Sequence, residues 1–451
     1  MRLSDLFAHH QKLAFLINEA RAVDELQPFA ALVAQTPVEP RHLRFWRAIR
    51  ASAFSFAERA GGESETLPDQ SGPPCFAGQQ PYVDYYPAVL AKLDALEASH
   101  CGSFYAFADY APFGSDPWMA RTQIPSVSAG DGLLRLLFYR TMQAHQSKDL
   151  RFVPPPDAAA MADLAEKLKG MITHTAKWLP QESFSKKAAY ARLRLLLRDY
   201  EAARCRARNA GEFNSFWSAR IFHRLGFRLP LVSLSELLAQ DELLPTVAAT
   251  LSVFIKHNAL FIESVEEALR FDDGNQLNFS TKSPGHVPLA LADRQSGVRR
   301  CLRLKRRGAD WLLMSGAGTE EVFNIGGAEA DTLAELLRRL AGRWSLDVFA
   351  PLFLFRLGVA GIINGRGSIR YSLVMAHVFK RLFGERPAPN LLCSCCPRLE
   401  GPFVEAVCRA HGRLPELLRT HEPTLIARLL YAEESQIREE IADSWRDGVQ
   451  R

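Results

Sequence analysis

Apolar residues recur at helical spacing through the first sixty positions: Leu13, Phe15 and Leu16, then Phe45, Trp46, Ile49 and Phe54. A three-four recurrence marks one buried helix face, so residues 1–60 read as helical. Gly, Pro and Ser crowd residues 61–74, which read as a loop. A short apolar run, Cys75-Phe76-Ala77, then ends at Gly78, and a helical pattern resumes in Tyr86, Val89, Leu90, Leu93 and Leu96. Asp84 is placed to cap that helix, and Pro87 is tolerated because it falls in the first turn. Residues 103–108, Ser-Phe-Tyr-Ala-Phe-Ala, read as the next buried strand, which stops at Asp109. Strand, helix and strand in this order make about the smallest parallel crossover.

From Asp157 to Arg208 the pattern is helical and charged, with Leu164, Leu168, Ile172, Leu193, Leu196 and Leu197 on the apolar side. Residues 214–271 are expected to alternate short strands with helices. Around Val287, Leu289 and Leu291, and again at Cys301, Leu302 and Leu304, the period drops to two, which predicts a hairpin turning near Ser296-Gly297. A helix over 331–340 leads to an apolar strand over 359–363 and the loop Asn364-Gly365-Arg366-Gly367. Ser368 can cap the next helix, whose face is Tyr371, Val374, Met375, Val378 and Leu382 and whose end is Gly384.

The expected architecture is therefore α/β. A Rossmann-like parallel core is interrupted by a helical insertion, with helical segments at both termini. Five segments follow: an N-terminal helical segment (1–70), the first half of the core (71–150), the helical insertion (151–213), the second half with its hairpin (214–400), and C-terminal helices (401–451).

Composition changes this picture little. The 451 residues are 47% hydrophobic and 23% charged, with 28 Phe and 7 Trp, which excludes disorder as the main theme. The net charge of +5 is spread over many arginines and gives little reason to expect nucleic acid. The basic run Arg303 to Arg307 reads as the solvated end of the hairpin, with a polyanion patch as the alternative. Residues 1–15 show no secretory pattern, and the apolar stretch 348–363 is broken by Arg356 and short for a bilayer. A cytoplasmic protein that handles small molecules is expected, with no membrane partner. Eight cysteines then read as thiols or metal ligands and not as a disulfide framework.

The candidate chemistry sits at two strand-loop-helix turns, Gly78-Gln79-Gln80 and Asn364 to Ser368. Glycine between a strand end and a helix start lets backbone approach a ligand, and the free amides there attract an anion. Each turn also reads as a tight structural turn, since the third glycine of the dinucleotide fingerprint and a Walker lysine are both lacking. Polar Gln79, Gln80 and Arg366 favour the ligand reading, with both turns lining one small-molecule or nucleotide site.

In combination the order is more specific. Gly78-Gln79-Gln80, the aromatic strand ending in Asp109, the helical insertion, and the late Gly365-Arg366-Gly367-Ser368-Ile369-Arg370-Tyr371 resemble the bacillithiol-biosynthesis cysteine-adding enzyme family over residues 75–400. The resemblance is clearest from Asp331-Thr332-Leu333 to Tyr371, which lies four residues after the second glycine. It implies a Rossmann-like core and a carbon–nitrogen ligase or acyl transferase that joins a cysteine-like amino acid to an amine through an activated carboxylate. ATP or another nucleotide is the implied cofactor. Gly78, Gln79 and Gln80 would form one wall and Asn364, Gly365, Arg366, Gly367 and Ser368 the other, with Arg366 neutralising an anion, Tyr371 orienting it and Asp109 as base. The chain departs from the family at Asp109-Tyr110-Ala111-Pro112, where an acid–histidine cluster is expected, at Ser368 in place of a glutamate, and at Phe353-Leu354 in place of a Gln-Asp pair. The rival reading is a non-catalytic nucleotide- or metabolite-binding protein that retains the fold.

Cys393 and Cys396 are spaced as in a zinc knuckle, and Cys408 and His411 repeat the gap. Zinc, unligated thiols and a redox or nucleophilic cysteine are the three readings. His286, His377 and His174 with Lys177 read as solvated or packed polar residues. No nucleophile elbow is present.

Overall fold

A computed structural model describes residues 3, 11–62, 72–140, 142–271, 277, 279, 282–316, 321–365, 367–393, 401–412 and 425–450. The described strands, in chain order, are β1 (Ala22–Val23), β2 (Cys75–Gln79), β3 (Ser103–Phe107), β4 (Arg121–Pro125), β5 (Leu133–Leu137), β6 (Leu231–Ser233) and β7 (His286–Ala292). They continue with β8 (Arg299–Arg307), β9 (Asp310–Ser315), β10 (Val322–Asn324), β11 (Trp344–Leu346), β12 (Gly361–Asn364) and β13 (Asn390–Leu392).

Six of them form a parallel sheet in the order β1-β13-β12-β2-β3-β6. Such a sheet is buried on both faces, and its strands show why: Phe104 and Ala106 enter one core while Tyr105 and Phe107 enter the other. The same alternation places Phe76 opposite Cys75 and Ala77, and Ile362 opposite Ile363. Helices Pro87–Ala98, Ala158–Thr175, Lys186–Arg206, Ala210–Arg224 and Glu434–Gln450 supply residues to one core. Helices Gln11–Glu19, Leu244–Lys256, Asn258–Arg270, Ala330–Arg339, Ala350–Leu357 and Ser368–Phe383 supply the other. Sheet order and two-sided helical cover are those of a doubly wound, Rossmann-like core.

The chain runs outward through β2, β3 and β6, then returns to the far side of β2 to make β12 and β13. The topological switch point is therefore the gap between β2 and β12. Residues 108–230 between β3 and β6 hold the antiparallel pair β4–β5 and three of the helices named above. Residues 234–360 between β6 and β12 hold an antiparallel sheet, β10-β9-β8-β7-β11, with β7 and β8 as a hairpin.

Local details depart from the sequence reading. Asp84 does not cap the helix Pro87–Ala98, which starts after Tyr86. Its buried carboxylate instead accepts from the backbone N–H groups of Tyr85 (2.8 Å) and Ile426 (3.1 Å) and from the Thr122 hydroxyl, tying three segments together. Residues 214–271 contain one strand, β6, because Leu244–Lys256 and Asn258–Arg270 run as consecutive helices. Ser368 does not cap through its own helix. Its hydroxyl accepts from Gly365 N–H at 3.0 Å and closes the turn before the helix.

No single described helix is long and apolar enough to cross a membrane. The two consecutive helices pass that test only jointly, and they are bent by 81°.

Candidate functional site

At the carboxyl ends of β2 and β12 lies a cavity of about 530 Å³. Open α/β sheets bind ligands at this position, where the crossovers diverge and leave a crevice. Gly78, Gln79 and Gln80 line one side, and Asn364, Ser368 and Tyr371 line the other. The two turns singled out from the sequence thus meet across one cavity.

The first turn is held from below. Lys92, on the helix Pro87–Ala98, is 2% exposed, and its ammonium donates to Gly78 O at 3.0 Å and Gln79 Oε1 at 3.1 Å. Burial pulls its pKa down to about 8, against the favourable pull of nearby Cys393. Gln79 Nε2 donates in turn to the Tyr82 hydroxyl at 2.8 Å, which donates to Asp116 at 2.8 Å. Gln79 is therefore a tie within the scaffold, and Gln80 is the residue of the pair with no such duty shown. Gly78 is glycine for a packing reason: a Cβ there would stand 2.6 Å from the Phe76 ring and 2.9 Å from Ala106 O.

The second turn is built differently. Asn364 lines the cavity, yet its carboxamide is engaged within the fold, donating to Asn390 Oδ1 at 2.9 Å and accepting from the Ser372 hydroxyl at 3.0 Å. A Cβ on Gly365 would meet only Ser368 Oγ at 3.9 Å, and one on Gly367 would meet nothing. These two glycines face open space at the start of the sixteen-residue helix Ser368–Phe383, where backbone amides favour an anion. Arg366 lies outside the described residues. Tyr371 lies against Phe279, ring centroids 5.4 Å apart.

A third wall was not legible in the sequence. It comes from the β6–β12 crossover and brings Lys282, Arg299 and Asp347 to the same cavity. Lys282 holds its ammonium 5.5 Å above the Phe279 ring and 5.8 Å from that of Phe349. Arg299 donates to Ser345 Oγ at 2.9 Å and to Leu346 O at 2.7 Å, with its guanidinium 5.8 Å from the Tyr110 ring. Asp347 accepts from Phe349 N–H at 2.9 Å, and its other oxygen lies 2.8 Å from His286 Nε2. His286 is buried at the start of β7, contrary to the solvated loop position expected for it. The one available signal was its place before an alternating strand.

Asp109 is not at this cavity. Both its oxygens are taken by Ser235, the backbone N–H at 3.0 Å and the hydroxyl at 2.5 Å, and it lines a neighbouring cavity. Tyr110, the next residue, faces the switch-point cavity. Of the cysteine-histidine set, Cys393 is enclosed in the core, its N–H donating to Asn364 O at 2.7 Å. Cys408 is half-buried and His411 exposed on the helix Pro402–His411, and Cys396 lies outside the described residues. Among the described residues no three His, Cys, Asp or Glu side chains are grouped to hold a metal ion.

No family model and no curated protein matches the chain.

Proposed function

We propose that the chain is a carbon–nitrogen ligase or acyl transferase of the cysteine-adding type, acting at the switch-point cavity in a cytoplasmic setting. The observation that carries this reading is the convergence of both turns on one cavity together with two cations and an acid–histidine pair. Lys282, Arg299 and the amides at Gly367 and Ser368 would receive the negative charge of a carboxylate or phosphate. A bound nucleotide supplies the phosphate that activates a carboxylate. Gly365 and Gly367, beside the cavity residues Asn364 and Ser368 and with open space where a Cβ would stand, suit close approach of such a group. An attacking amine must lose a proton as the amide forms, and Asp347 backed by His286 takes the role of base that the sequence assigned to Asp109. Tyr371 orients the substrate from the helix side.

The test is calorimetry with ATP, ADP and cysteine, followed by an assay for amino-acid-dependent turnover. Asp347→Asn is expected to lower turnover by about a hundredfold or more while nucleotide affinity stays within a few-fold. Nucleotide binding without amino-acid-dependent turnover would sink the ligase reading. That outcome would favour a binding protein that kept the fold, a reading supported by the withdrawal of Asp109 into its bonds with Ser235.

A further inference from the structure

The switch-point cavity changes character with depth. Ser368 opens the helix on one side, and Met375 lines the cavity two turns further along it, roughly 10 Å deeper. On the sheet side Phe76 lines it two residues, or about 7 Å, below Gly78. Phe76, Leu234, Leu354, Ile362 and Met375 are cavity residues that all belong to one buried core. Gly78 and Ala106 stand opposite each other in β2 and β3, on the face that carries Phe76, and their small size leaves room between sheet and helix. The charged residues of the lining, Lys282, Arg299 and Asp347, all come from the β6–β12 crossover. Asp347 has both oxygens engaged by His286 and Phe349 N–H, whereas neither Lys282 nor Arg299 has an acidic partner among the described residues.

A second observation is independent of these charges. Tyr110 lines the cavity three residues beyond the end of β3 and is only 5% exposed. Its hydroxyl bonds to nothing among the described residues, yet its oxygen is not among the unpaired buried atoms sealed from solvent, so its open side is the cavity. A phenol this deeply placed ordinarily has a partner. Burial pushes its pKa well above the ordinary tyrosine value against the pull of Arg299, so it keeps its proton and is a donor. The Arg299 guanidinium stands beside the same ring, with Nη1 free of bonds among the described residues.

We propose that the switch-point cavity takes a carboxylic acid with a large apolar stem. The Tyr110 hydroxyl and the Arg299 guanidinium receive the carboxylate, and the stem is buried among Phe76, Leu354, Ile362 and Met375. This rests on the reading of that cavity as the substrate site, and it gives the acid activated there a larger apolar group than that of cysteine.

Calorimetric titration of the full chain with hexanoate, with and without ADP, tests this, with hexanol as the probe that lacks the carboxylate and acetate as the one that lacks the stem. Saturable hexanoate binding, about tenfold or more tighter than that of either control, supports the proposal. Tyr110→Phe is expected to weaken hexanoate about tenfold and leave hexanol unchanged. The variant removes a hydroxyl that bonds nothing in the free chain, so its melting temperature stays at or above that of the wild type. Equal affinity for hexanoate and hexanol, or for hexanoate and acetate, overturns the proposal. So does a Tyr110→Phe variant that binds hexanoate as the wild type does, or the absence of saturable binding at tens of millimolar hexanoate under both conditions. Hexanoate binding that follows the expected pattern without any nucleotide-dependent turnover upholds this inference while the ligase reading falls, and turnover of cysteine without hexanoate binding does the reverse.

Discussion

Lys92 is an ionised side chain beneath a ligand cavity, and its charge has a cost. The ammonium carries its proton in the unfolded chain up to the ordinary lysine value of 10.5, but loses it in the folded chain near pH 8. Between those two values the unfolded state binds more protons, so this residue makes folding more favourable as pH rises. The shift amounts to about 3 kcal/mol. Denaturant unfolding of the wild type and of Lys92→Met should therefore converge or cross on going from pH 7 to pH 10.5, with the wild type gaining up to about 3 kcal/mol relative to the variant. A constant difference across that range would mean the ammonium is solvated. Glycines divide in the same way by what surrounds them. Gly78→Ala drives a methyl group into the Phe76 ring and the β3 backbone and should cost about 1–3 kcal/mol in chemical denaturation. Gly365→Ala meets open space, so its stability should stay within about 0.5 kcal/mol of wild type, and any loss of ligand affinity there reports contact with the ligand.

At the scale of elements, the second turn is fixed by a buried chain of amides. Ser372 donates to Asn364, Asn364 to Asn390, and Asn390 to the carbonyls of Ala20 (3.0 Å) and Ala388 (3.1 Å). This links β12, β13, the helix after the turn and the segment entering β1. Asn364→Ala breaks the chain at its middle and leaves Ser372 and Asn390 without that partner. A loss of about 3 kcal/mol is expected, measured as a fall in melting temperature before any ligand is added. Both turns were legible in the sequence because each joins a short apolar run to a three-four pattern through glycine, a local signal. The residues that complete the site had no local signal. Lys92 is a lone lysine in an apolar helix, and Asp347 and Lys282 come from a crossover whose packing alone brings them to the cavity. Two-residue β1 is too short for any period, and its pairing with β13 depends on the tertiary fold. An acid at a strand end fits a catalytic base and a tie to the next loop equally well, and the bonds of Asp109 to Ser235 are of the second kind.

For the whole molecule, the C-terminal helix Glu434–Gln450 is part of the core that supports the first turn. Ile437, Ile441 and Trp445 are buried in that core, and Trp445 Nε1 donates to Asp94 Oδ2 at 2.9 Å on the helix that carries Lys92. A chain ending at residue 424 loses these three side chains and should forfeit at least about 5 kcal/mol, a large share of what a typical domain has. Circular dichroism should show it melting far below the full chain. Equal melting would mean the segment folds apart from the core.

The pairing of Cys75 with Gly361 has a consequence for how the protein is made. During synthesis the strand that ends in the first turn leaves the ribosome long before its neighbour exists. At ordinary elongation speeds roughly 15–60 s separate the two. Through that interval one flank of β2, rich in unpaired backbone groups, is exposed to other nascent chains. Cells that make this protein in quantity should need holding chaperones until residue 364 emerges, and slowed translation would lengthen the dangerous interval.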